Sequence, residues 1–170
     1  MANVILIGMP GCGKSTLGVL LAKSLMMDFV DTDLIMQNRA GKPLQQLVDE
    51  LGTEGFSRME EACIQSLALD NTVIATGGSV ALEEGAMMHL AKTGPIVFIK
   101  LSYQTIESRL NNISTRGITL EKGQTLQNLY DYRQPFYERW GQIVVEADGQ
   151  DIEQTVAALV TKLQAKEDTL

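Results

Sequence analysis

The sequence predicts an α/β fold, a three-layer sandwich built on a five-stranded parallel sheet. Five short apolar runs carry this reading: Val4–Ile7, Phe29–Val30, Val73–Ala75, Ile96–Ile99 and Ile143–Val145. None alternates cleanly with polar residues, which suits strands covered on both faces. Segments of helical period separate them, and strands alternating with helices close into right-handed crossovers and a doubly wound sheet. The 170 residues show no repeat, linker or low-complexity tract, so residues 1–170 are expected to form one domain.

The first run leads into Gly8-Met9-Pro10-Gly11-Cys12-Gly13-Lys14-Ser15, a Gly-x-x-x-x-Gly-Lys-Ser loop. Glycines at this spacing let backbone N–H groups converge on phosphate, and the helix that follows adds its positive end. That helix has apolar residues at Leu17, Leu20, Leu21 and Leu25, the spacing of one buried face. Strand, loop and helix together form the context that a phosphate-binding loop requires. Gly11, Cys12, Gly13, Lys14, Ser15 and Thr16 are therefore candidate ligands of a nucleoside triphosphate. Lys14 is expected to reach the β- and γ-phosphates, and the Ser15 hydroxyl to ligate Mg²⁺. Cys12 reads as a small residue at a tolerant loop position rather than as a redox centre.

The second run ends in Asp31-Thr32-Asp33. In an open α/β sheet, ligands sit beyond the carboxyl ends of the strands, where this pair would point. One carboxylate could serve Mg²⁺ and the other could accept a proton from a substrate hydroxyl. The structural alternative is a helix cap by Asp33 with Asp31 solvated in a turn. Residues 33–61 read as a helical segment facing the substrate. Farther on, Asn111–Gln124 is polar, holds two glycines and has no period. A loop of this length in a small domain is usually functional, and it is expected to be a lid. The last helix opens at Asp151 as cap, with the stripe Ile152, Val156, Leu159, Val160 and Leu163.

The formal net charge of −7 argues against nucleic acid as a partner and makes each arginine informative for an anionic ligand. No apolar run reaches eighteen residues and no basic leader opens the chain, so no membrane span and a cytoplasmic location are expected, and a monomer with them. Cys12 and Cys63 suggest neither a disulfide framework nor a zinc site. The single histidine, His89, and the Phe136, Tyr137 and Trp140 group read as structural.

Taken together, the motifs resemble the shikimate kinases, small P-loop kinases of the nucleoside monophosphate kinase-like group. The resemblance runs through Gly8–Ser15, Asp31-Thr32-Asp33, Phe56-Ser57-Arg58-Met59-Glu60, Gly77-Gly78-Ser79, Arg109, Arg116 and Arg133 before Phe136-Tyr137-Glu138. It implies Mg²⁺ near Asp31, and Asp33 as the base on a hydroxyl of a small hydroxylated acid. It further implies Arg109 against adenine, Arg116 closing with the lid onto the transferring phosphates, and Arg133 on the substrate carboxylate. Gly77, Gly78 and Arg58 complete the substrate side. The family usually has an arginine where this chain has Ser57, with Arg58 one place later, and a third glycine where it has Ser79. One helical step turns a side chain by about 100°. Loss of one arm of a carboxylate clamp would weaken binding by about 2–4 kcal/mol. The expectation is ATP-dependent phosphorylation of shikimate to shikimate 3-phosphate. Another small hydroxylated acid or polyol as acceptor is the first alternative, and a non-catalytic nucleotide-binding module the second.

Overall fold

The computed structural model describes residues 2–111 and 123–167. One parallel sheet runs in the order β2-β3-β1-β4-β5. Its strands are β1 (Val4–Ile7), β2 (Asp28–Asp31), β3 (Thr72–Ala75), β4 (Ile96–Lys100) and β5 (Ile143–Glu146). Every residue of β1 and β3 is buried, as unbroken apolar runs require at the centre of a doubly covered sheet. The edge strand β5 differs from the sequence reading. It alternates, with Ile143 and Val145 buried and Val144 and Glu146 exposed, because it pairs only with β4.

Among the described residues, seven α-helices surround the sheet: α1 (Lys14–Leu25), α2 (Thr32–Ala40), α3 (Leu44–Gln65), α4 (Glu84–Ala91), α5 (Tyr103–Asn111), α6 (Leu126–Trp140) and α7 (Ile152–Glu167). Helices α1 and α7 pack together, as do α3 and α4, while α6 rests on β4. Gly18 lets α1 settle onto the sheet, since a Cβ there would stand 2.5 Å from the Phe29 ring. At the other end of the chain, the Asp151 carboxylate accepts from the Gln154 N–H at 2.8 Å and caps α7 as expected.

Strand order reverses around β1, whose neighbours β3 and β4 continue in opposite directions. A crevice opens beyond the carboxyl ends of the strands at such a switch point. The phosphate loop leaves β1 there. Helices α2 and α3 form an annex with its own small core of Met36, Leu47, Phe56 and Cys63. Gly52, with a φ of 67°, breaks α3 into two limbs and sets the direction of the second, which carries Phe56 to Glu60. Of the expected lid at 111–124, residues 112–122, Arg116 among them, lie outside the described residues.

Candidate active site

Three glycines shape the loop between β1 and α1, with φ of 149° at Gly8, 79° at Gly11 and 94° at Gly13. A Cβ on Gly8 would also stand 2.8 Å from the Ile99 carbonyl oxygen. Side chains are excluded there on both grounds, which keeps the backbone open to the close approach that phosphate needs. Lys14 is buried, and its amine donates to the carbonyls of Gly8 at 2.8 Å and Met9 at 2.9 Å. Arg109, at the end of α5, lies across the loop and donates to the Gly11 and Cys12 carbonyls, both at 3.3 Å. Thr16 is exposed in the first turn of α1.

Loop and second strand meet where the Ser15 hydroxyl donates to Asp31 Oδ2 at 2.5 Å. A hydroxyl and a carboxylate in this pairing form the hard oxygen set that Mg²⁺ prefers. The other oxygen of Asp31 accepts from the Asp33 N–H at 2.9 Å, so Asp31 is the cap of α2. The sequence alternative had given the cap to Asp33. With Asp31 in that place, the Asp33 side chain projects from the first turn toward Gly77.

Gly77 and Gly78 follow β3 and are crowded from both sides. A Cβ on Gly77 would lie 2.6 Å from Glu60 Oε1 and 2.8 Å from Asp33 Oδ1. On Gly78 it would meet Pro10 of the phosphate loop at 2.6 Å and Arg133 Nη1 at 3.1 Å. Arg133, from α6, is 4% exposed. Tyr137, one turn later, is fully buried against Phe98 and donates to the Gly78 carbonyl at 2.5 Å. Burial pushes the Tyr137 hydroxyl well above its ordinary pKa, so it stays a neutral donor.

Glu60 is 1% exposed and accepts from the Ser79 hydroxyl at 2.6 Å. Burial raises its carboxyl to a pKa of about 7. The nearby charges of Asp33 and Glu83 add to the rise, while the Ser79 hydrogen bond and Arg133 oppose it. Ser79 thus has a definite place: it supplies a donor to a buried acid.

Arg133, Ser57, Ser79 and Glu83 open onto one cavity of about 530 Å³. Arg58 does not join them. Its side chain is 76% exposed and pairs with Glu54 one turn earlier on α3. The expected Arg58 contribution to the substrate side is therefore corrected, for the helical reason anticipated: the step from 57 to 58 carries the guanidinium out of the pocket. Ser57 occupies the inward position and donates to Glu83 Oε1. Glu83 is the residue that sequence reasoning missed. It stands at the N-cap of α4, where glutamate is a poor choice, and it makes no capping bond. His89 bonds the Leu67 carbonyl at 3.0 Å, and Trp140 packs against the main core, both structural as read.

Comparison with known proteins gives a consistent result. Residues 10–164 match the family described as shikimate kinase. The shikimate kinase of Pseudomonas paraeruginosa is 35% identical over 168 residues, covering 96% of this chain and 97% of that one. That of Legionella pneumophila (strain Corby) is 36% identical over 149 residues, covering 86% and 85%. Among solved structures, the Acinetobacter baumannii shikimate kinase in complex with shikimate superposes with a TM-score of 0.88 at 22% identity, covering 98% and 94% of the two chains.

Proposed function

The chain belongs to the shikimate kinase family, and from that premise we propose that it transfers the γ-phosphoryl group of ATP to a hydroxyl of shikimate, giving shikimate 3-phosphate. It is a small-molecule kinase, and nucleotide use follows from the family. The observation that carries the acceptor reading is the meeting of the two half-sites at Gly78. Pro10 of the phosphate loop and the Arg133 guanidinium press on the same glycine, so nucleotide and acceptor would lie side by side.

In this reading the backbone of residues 11–16 holds the phosphates, and Lys14 leaves the loop carbonyls for the β- and γ-phosphates. Arg109 lies beside the loop, within reach of the base. Mg²⁺, on Ser15 and Asp31, would neutralise charge on the phosphate oxygens. Asp33 accepts the proton of the attacking hydroxyl, and Arg133 holds the acceptor carboxylate through a guanidinium fork. Arg116 completes the charge at the transferring group. Phosphoryl transfer needs positioning and charge more than covalent chemistry, and this set supplies both.

Ser57 in the inward position favours a second acceptor class, a hydroxylated acid or polyol recognised by fewer cations. A coupled nucleotide assay offering shikimate beside a panel of hydroxy acids and polyols separates the two. Turnover with shikimate that Asp33→Ala abolishes is expected; no turnover with shikimate, or an unimpaired Asp33→Ala enzyme, refutes the acceptor or the base.

A further inference from the structure

The acceptor cavity carries a charged group that the mechanism above leaves without a task. Glu83 lines it together with Ser57 and Arg133. Its backbone begins α4, yet the side chain makes no cap bond and turns to Ser57 instead. Ser57 comes from the second limb of α3, so the pair links two separate elements across the cavity wall. The hydroxyl proton of Ser57 is directed to Glu83, which leaves the Ser57–Glu83 pair with acceptor oxygens only. A carboxylate can accept about four hydrogen bonds, and Ser57 uses one of them. Arg58, which could have balanced the charge, is held outside by Glu54. Arg133 therefore shares this space with two carboxylates, Glu83 and the Arg58-paired Glu54.

We propose that Glu83, anchored by Ser57, is a specificity-determining residue of the acceptor pocket, accepting a hydrogen bond from an acceptor hydroxyl and repelling carboxylate. The inference rests on the kinase reading and narrows it. The pocket takes polyhydroxylated compounds that carry at most one carboxylate, placed at Arg133, and presents Glu83 to their hydroxyls. Like charges brought together in a partly desolvated site discriminate strongly between ligands, and unpaired donors do the same. Discrimination between an acid and its neutral ester is accordingly weaker here than in a pocket with two guanidinium groups.

The test compares kcat/KM for shikimate with kcat/KM for shikimate methyl ester in the wild type, Glu83→Gln and Glu83→Ser. Serine is a good N-cap and keeps the start of α4 intact, which guards against loss of fold. In both variants the acid-to-ester ratio is expected to rise roughly fivefold or more, with the ester rate falling as its hydroxyl loses a charged acceptor. Ser57→Ala, which frees Glu83 from its anchor, moves the ratio the same way by less. A ratio within about twofold of wild type in both Glu83 variants, with both compounds turned over, overturns the proposal. Failure of the wild type to phosphorylate either compound instead overturns the kinase reading beneath it, and the two failures are told apart by the wild-type rates alone.

Discussion

The two halves of the site are built to different standards of completeness. Around the phosphate loop, the charged and strained groups have close partners: Lys14 on two carbonyls, Ser15 on Asp31, Arg109 across Gly11 and Cys12, and three left-handed or extended glycines where only glycine fits. Around Arg133, a buried acid sits at a pKa of about 7 and a cavity of about 530 Å³ is lined by Arg133 together with Glu54 and Glu83. The phosphate side has a single task that every nucleotide triphosphate sets in the same way, so its geometry is closed. The acceptor side is a compromise among neighbouring charges, and such a compromise can be re-tuned by one substitution.

Four experiments would break or sharpen that contrast. The largest effect is expected for Lys14→Ala, which removes the cation from the phosphate side: kcat should fall by about 10³-fold in a coupled turnover assay, whichever acceptor is offered. Arg133→Lys comes next. It keeps the charge but loses the fork, and KM for shikimate should rise by about 30- to 100-fold while nucleotide affinity, read by titration calorimetry, stays within about twofold. If nucleotide affinity collapses as well, the halves are not separable.

Glu60 gives a smaller effect with a definite sign. Its pKa is raised from 4.5 to about 7 on folding, so the native state binds the extra proton between those values. Stability is then full below about pH 4.5 and falls as pH rises toward 7, by up to about 3 kcal/mol. Glu60→Gln should flatten this decline in thermal melts taken from pH 5 to 8; an unchanged slope would remove Glu60 as its source. Arg58→Ala should do least, changing KM for shikimate by less than about twofold, because the side chain points to solvent and its surface pair adds little.

The same division governs how much could be read from the chain. The phosphate loop was legible because its chemistry is local: eight consecutive residues between a strand and a helix state it fully. The sheet was legible because burial on both faces leaves unbroken apolar runs, and the two edge strands, β2 and β5, are less covered than that reading expects, since position at the sheet edge is a tertiary property. The capping duty that the structural alternative gives to Asp33 falls two residues earlier, on Asp31, a shift inside the precision of any helix boundary. The pairs Ser79 with Glu60 and Ser57 with Glu83 could not be read at all. They join residues 19 and 26 positions apart through single side-chain hydrogen bonds, and no periodicity encodes such a meeting. What the sequence offered instead was departure: serines where a resembling family has arginine and glycine. Each of those serines now has a carboxylate partner.

The crowding at Gly78 has a bearing on how such a protein can change. Any side chain there would wedge Pro10 away from Arg133 and part the donor from the recipient. Innovation is thereby barred from the seam and pushed to the perimeter, to Ser57, Ser79 and Glu83. Descendants of this chain can exchange one small molecule for another by trading residues on that outer ring, while the machinery that handles the nucleotide is inherited untouched.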